Sequence, residues 1–178
     1  MKTSSLLTII LSILIIITGE VMAVEVGDKA PNVSGTGYDL KKISLSDFSG
    51  KNIVLAFVPG AFTGVCTKEI CTLQDAVTNL SNLDAEVIGV SVDAPFSNKA
   101  WADQNKVTFP ILSDYSREMV NAFGCYHEDF AGMGGYTAAK RSVFIIDKEG
   151  VIRYKWISDD PGVEPNYDEI KAELKKLD

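Results

Sequence analysis

The segments IVLAFV (residues 53–58) and VIGVSV (residues 87–92) constrain this chain more than any other feature. A six-residue run without polar–apolar alternation reads as a strand covered on both faces, and such strands belong to parallel sheets flanked by helices. Pro59-Gly60 ends the first run and Asp93-Ala94-Pro95 the second. Between them Cys66, Ile70, Leu73, Val77 and Leu80 recur at helical spacing, which predicts a strand–helix–strand unit. The pattern continues with a helix over 97–106 and a short strand over 107–112, in which Pro110 implies a bend or an edge. A helix over 116–123 follows, ended by Gly124. Residues 142–147 and 151–157 read as two strands around Lys148-Glu149-Gly150, and 167–177 as a last helix. Strands that alternate with helices and close on a hairpin predict an α/β fold, a mixed central sheet flanked by helices.

The first 23 residues do not fit that pattern. Lys2 precedes an uncharged apolar run from Leu6 to Thr18, and Val21-Met22-Ala23 supplies a small-residue exit. This is the form of a secretory signal peptide cleaved after Ala23. The alternative is an uncleaved membrane anchor through residues 6–23, although Glu20 interrupts the run short of the roughly 20 apolar residues a span needs. Residues 24–178 are then one domain with an expected extracytoplasmic location: periplasmic, secreted or on the cell surface.

Charge and composition narrow the chemistry. Seventeen Lys and Arg stand against 24 Asp and Glu, a net charge of -7, which argues against nucleic acid as a partner. One histidine makes a multi-histidine metal cage within the chain impossible. The glycine-rich stretch 131–139 does not follow a strand and open a helix, so it is no phosphate cradle. The residues call for no cofactor.

Chemistry concentrates at the turn after the first apolar strand. There the chain passes through Pro59-Gly60 and enters a helix whose first turn holds Cys66. Helix-start N–H groups lack internal partners and the macrodipole is positive there, so both favour a thiolate over a thiol. Thr63 puts a hydroxyl three residues earlier, able to donate and accept toward a small oxygen-containing substrate. Taken singly, Cys66 is equally a buried apolar residue, Glu69 a partner of the helix dipole and Arg141 one half of a surface ion pair.

Taken together, these residues resemble a known family. Pro59-x-x-x-Thr63-x-x-Cys66, with Glu69 and with Arg141 before Ser142-Val143-Phe144-Ile145-Ile146-Asp147, is similar to the active-site pattern of peroxiredoxins. Trp101, Phe109-Pro110 and Ser113-Asp114 resemble further landmarks. The resemblance implies a thioredoxin-like fold and a thiol-dependent peroxidase. Cys66 would attack a peroxide oxygen and become a sulfenic acid. Thr63 and the Cys66 N–H would hold the peroxide. Arg141 would stabilise the thiolate and the charge developing on the leaving oxygen. Pro59 would shield the sulfur, and Glu69 would orient Arg141.

Cys71, five residues after Cys66, resembles the resolving cysteine of the Q-type members (the bacterioferritin-comigratory proteins), while Pro59-Gly60-Ala61-Phe62-Thr63 resembles the redoxin subgroup. Five residues of ideal helix separate Cα atoms by about 8.6 Å, whereas a disulfide needs roughly 4.4–6.8 Å. The helix is therefore expected to unwind before a Cys66–Cys71 bond closes. Cys125 reads as a small apolar residue, with an alternative resolving thiol as its functional reading. The partners implied are a peroxide and a thioredoxin-like or other thiol reductant, in a monomer or homodimer. Two rivals use the same fold: an exported thiol–disulfide oxidoreductase, which would normally carry a Cys-x-x-Cys absent here, and a copper or other metal chaperone using Cys66, Cys71 and His127.

Overall fold

The two apolar runs pair with each other at the centre of the sheet. In the computed structural model, which describes residues 23–81 and 84–177, the elements follow in the order β1 (Ser34–Thr36), β2 (Lys42–Ser44), β3 (Asn52–Phe57), α1 (Gly64–Ser81), β4 (Ala85–Ser91), α2 (Pro95–Gln104) and β5 (Ile111–Ser113). Then come α3 (Glu118–Ala122), β6 (Tyr126–His127), β7 (Ala138–Ala139), β8 (Ser142–Ile146), β9 (Ile152–Ile157) and α4 (Tyr167–Leu174). β3 and β4 run parallel with Phe57 opposite Val90, and α1 makes the crossover. The seven-stranded sheet has the order β2-β1-β5-β4-β3-β8-β9, and β6 and β7 form a small ribbon of their own. β8 lies antiparallel to β3, so the sheet is mixed, as the sequence predicts.

Alternate residues of β3 serve two cores. Ile53, Leu55 and Phe57 face one side, where Phe57, Phe123 and Phe144 form a ring cluster with centroids 4.9–5.8 Å apart. Val54 and Ala56, with Val58 just beyond the strand, face the other, against Cys66, Ile70 and Leu73 of α1, Trp101 of α2 and Ile170 and Leu174 of α4. Both faces are covered, which is why these strands carry no polar alternation.

Several boundaries differ from the sequence reading. The strand expected over 107–112 is Ile111–Ser113. Pro110 has no N–H to give a ladder, and its carbonyl takes Gly89 N–H at 2.9 Å as pairing begins. The helix expected over 116–123 is shortened to α3 because Arg117 adopts a left-handed φ of 62°. Gly124 ends it at φ 64°, a conformation suited to glycine. Pro95 opens α2 rather than closing the strand before it, at a helix start where its missing N–H costs nothing. The last helix stops at Leu174. β1, β2, β6 and β7 are two or three residues long and were not legible as strands. Apart from Ala23, the expected leader lies outside the described residues. No helix among the described residues is long and apolar enough to cross a membrane.

Candidate active site

The carboxyl end of β3 and the amino end of β8 meet at one edge of the sheet. Antiparallel register sets Phe57 opposite Ser142, so Pro59-Gly60 and Arg141 leave the sheet side by side. β9 adds a third strand end. Its Ile157 lies opposite Ser142, and Ser158 N–H donates to the Arg141 carbonyl at 2.9 Å, which brings residues 158–161 alongside. α1 begins at Gly64, placing Cys66 in the first helical turn.

Cys66 and Arg141 are each 1% exposed and Glu69 is fully buried. Arg141 Nη2 donates to Cys66 Sγ at 3.3 Å and to the Pro161 carbonyl at 2.7 Å. Arg141 Nε donates to the same carbonyl at 3.1 Å, and Nη1 pairs with Glu69 Oε2. A planar guanidinium reaches all three partners at once; an ammonium would not. Glu69 stands three residues after Cys66, on the same side of α1, which is why one guanidinium meets both.

The electrostatics are those of one cation facing two acidic groups. Burial pulls the Arg141 pKa down, but the charges of Glu69 and Cys66 and their hydrogen bonds outweigh it, and the net shift is upward. Burial pushes the Glu69 carboxyl up to about 7, against the pull of Arg141. Glu69 Oε1 has no hydrogen-bond partner, which adds to the cost of ionising there.

Between β3 and α1, residues 59–63 make a tight turn. Pro59 and Gly60 are buried and Thr63 is exposed, with its Oγ1 donating to the Gly60 carbonyl at 3.0 Å. The Thr63 carbonyl accepts Thr67 N–H at 2.9 Å and so starts α1. A buried, cation-paired sulfur in the first turn of a helix, with an exposed hydroxyl three residues earlier in the chain, supplies a group that can attack and a group that can orient a small polar substrate.

The structure thus brings Cys66, Glu69 and Arg141 into one contact network, with Pro59 and Thr63 in the turn that joins β3 to α1. Cys71 is a half-buried free thiol lower in the same helix, its Sγ 3.9 Å from Asn105 Oδ1. Cys125 sits in the core on the other face of the sheet from Cys66, and burial pushes its thiol up to about 12. His127 is on the β6–β7 ribbon with its ring against Phe130. Among the described residues no group of three His, Cys, Asp or Glu could hold a metal ion, so Cys66, Cys71 and His127 are not gathered into one.

Three contributors were missed in the sequence. Pro161 acts through its carbonyl, for which no side chain gives a signal. Thr67 receives Trp101 Nε1–H at 3.0 Å, joining α2 to the first turns of α1. Asp93 accepts Ala61 N–H at 2.8 Å. Its position just past β4 was a usable signal, because carboxyl ends of parallel strands surround the sites of open α/β sheets.

Comparison with known proteins identifies the family and the fold. The AhpC/TSA family profile matches residues 26–155. Peroxiredoxin Bcp of Bacillus subtilis is 34% identical over 135 residues, spanning 76% of this chain and 86% of that one. The chloroplastic 2-Cys peroxiredoxin BAS1 of Spinacia oleracea is 34% identical over 163 residues, spanning 85% of this chain and 59% of its own. Among solved structures, a peroxiredoxin-like protein from Aquifex aeolicus superposes with a TM-score of 0.78 at 27% identity, covering 88% of this chain and 89% of its own. AhpC of Enterococcus faecalis gives a TM-score of 0.74 at 28% identity, covering 85% and 90%. With its thioredoxin-like fold and a cysteine, a glutamate and an arginine joined at the end of the central strand, this chain belongs to the AhpC/TSA family and is a peroxiredoxin, an oxidoreductase of the thiol peroxidase type.

Proposed function

We propose that this chain reduces hydrogen peroxide and organic hydroperoxides with the thiolate of Cys66, and that Cys71 resolves the product. The observation that carries the reading is the contact of Arg141 Nη2 with Cys66 Sγ at 3.3 Å in a buried site. Cys66 gives up its proton and attacks the terminal oxygen of the hydroperoxide. A sulfur–oxygen bond forms, the O–O bond breaks, and the sulfur loses two electrons to become a sulfenic acid. The leaving hydroxide or alkoxide takes up a proton and departs as water or alcohol. Arg141, held by Glu69 and Pro161, faces the negative charge before and during transfer at no cost in reorganisation. Thr63 orients the peroxide and Pro59 limits access of water to the sulfur.

The Cys71 thiol then attacks the Cys66 sulfenic acid, forming a disulfide and releasing water. Both cysteines lie on the continuous helix α1, so its first turns open before the bond closes. An external dithiol of thioredoxin type returns both sulfurs to thiols. The apolar run from Leu6 to Thr18, read as a cleaved signal peptide or as a membrane anchor through residues 6–23, supports a cycle outside the cytoplasm, where such a disulfide persists unless a dedicated donor reduces it.

Stopped-flow mixing with hydrogen peroxide tests the reading. Wild type consumes peroxide rapidly, Cys66→Ser does not, and Cys71→Ser completes one turnover and then stalls with donors that need an internal disulfide. Undiminished peroxidase activity in Cys66→Ser sinks the nucleophile assignment. Absence of a Cys66–Cys71 peptide in the mass spectrum of peroxide-treated wild type sinks the resolving step.

A further inference from the structure

The turn that carries Phe62 and Thr63 is not held in place by its own strand alone. Phe62 has a left-handed φ of 61° and an exposed ring, a conformation that a bulky residue keeps only when its surroundings enforce it. Part of that enforcement is local: Thr63 Oγ1 bonds the Gly60 carbonyl, and the Phe62 ring lies 6.5 Å from that of Trp101. The rest comes from the neighbouring strand. Asp93 Oδ2 accepts Ala61 N–H at 2.8 Å, fixing the Gly60-Ala61 peptide one residue before the strained one.

Asp93 is itself fixed at three points. Its N–H donates to Ser91 Oγ at 3.1 Å, its carbonyl takes the Ser113 hydroxyl, and its carboxylate lies 2.8 Å from Ser91 Oγ. Ser91, Ser113 and Asn98 behind it are buried, and Asn98 Oδ1 is 3.0 Å from Ser91 Oγ. β4 and β5 thus hold Asp93 directly and α2 backs Ser91, while the carboxylate itself bonds Ser91 Oγ and the Ala61 N–H of the turn before α1.

We propose that Asp93 is a positioning residue for the peroxidase reaction, clamping the Gly60-Ala61 peptide so that Thr63 and the Cys66 N–H stay aligned on the peroxide. This inference rests on the peroxidase reading above. The Cys66–Arg141 contact is held from the other side, by β8, Glu69 and Pro161, and does not pass through Asp93. Loss of the clamp therefore lets Phe62 relax and displaces the peroxide-holding groups while the thiolate keeps its cation.

Two rates measured on the same preparations separate these effects: peroxide consumption by stopped flow, and iodoacetamide alkylation followed on the Cys66 peptide, which needs the thiolate but no aligned peroxide. Asp93→Ala is expected to slow the peroxide reaction by about 10- to 100-fold, the scale of a misplacement near 1 Å. Alkylation stays within about twofold of wild type, since the Arg141 contact with the sulfur does not pass through Asp93. Asp93→Asn keeps an acceptor for Ala61 N–H and recovers to within about threefold of wild type, a neutral bond being weaker than a charged one. Ser91→Ala, which frees the carboxylate to turn, gives a smaller loss of the same kind and carries the test if Asp93→Ala does not fold. An unchanged peroxide rate in Asp93→Ala or Ser91→Ala, peroxide and alkylation rates that fall together, or an Asp93→Asn protein as slow as Asp93→Ala overturns the clamp. Wild type that consumes no peroxide refutes instead the peroxidase reading beneath it.

Discussion

Glu69→Gln isolates the cost of burying an acid beside Cys66 and Arg141. The substitution keeps the shape of the side chain and an oxygen for Arg141 Nη1 but removes the titration. In the folded chain Glu69 is fully buried, has one oxygen without a partner, and holds its proton up to about 7 instead of the 4.5 of a free carboxyl. Between those values the folded state binds more protons than the unfolded one. The stability contributed by this group is therefore fully present below 4.5 and is lost as the pH rises through 7. At 1.36 kcal/mol per tenfold, the whole interval corresponds to about 3 kcal/mol, of which about 2 kcal/mol falls between pH 5.5 and 8. Urea unfolding of both proteins across that range reads it directly. The stability of Glu69→Gln relative to wild type should rise by about 2 kcal/mol from pH 5.5 to pH 8, roughly a 1 M change in the difference between midpoints. Taking the difference cancels the carboxylates common to both proteins. A constant difference would mean that the carboxyl ionises alike in both states and that Arg141 fully offsets its burial, refuting the reasoning.

Two further outcomes follow from groups away from the sulfur. Asp114 is 1% exposed and its carboxylate takes Met119 N–H at 3.0 Å and Val120 N–H at 2.9 Å, capping α3 from a distance. Asp114→Ala strands both donors and should cost about 2–3 kcal/mol, a fall in melting temperature of about 5–10 °C by calorimetry; a shift under 2 °C would show that α3 does not need the cap. Cys125, buried on the face away from the site with its thiol pushed up to about 12, should be the last of the three cysteines to react with a maleimide in the native protein. Denaturant should make it equal to the others, and fast native labelling of the Cys125 peptide by mass spectrometry would contradict its place in the core.

The local chemistry of this chain was legible because it depends on residues close in sequence. Continuous apolar runs identify doubly covered strands whatever their neighbours, and the spacing of Cys66 and Ile70 identifies α1 and the turn that puts Cys66 at its start. Those statements needed only the periods of strand and helix. Short elements escaped for the opposite reason. β1 and β2 are three-residue strands of mixed polarity, paired because β5 offers an edge, and nothing local distinguishes them from loop. The helix expected over 116–123 was cut at its start by the backbone of Arg117, a residue type that carries no turn signal.

The site divides along the same line. The sequence by itself determined the setting of Cys66: a strand, a Pro-Gly turn, a threonine, and a cysteine in a first helical turn. It also indicated Arg141 and Glu69, through their resemblance to a family pattern. Only the tertiary structure decided how one guanidinium, 75 residues from Cys66, is held against it. That follows from the antiparallel register of β8 on β3, which puts Arg141 at the same sheet edge as Pro59, and from β9, which brings the Pro161 carbonyl to fix the guanidinium from behind. The clamp by Asp93 likewise exists because β4 lies parallel to β3 and ends beside it. Register and strand order are sums over many contacts distant in sequence, so no local pattern encodes them. The same sums set Cys66 and Cys125 on opposite faces of one sheet, which no local pattern around either thiol encodes.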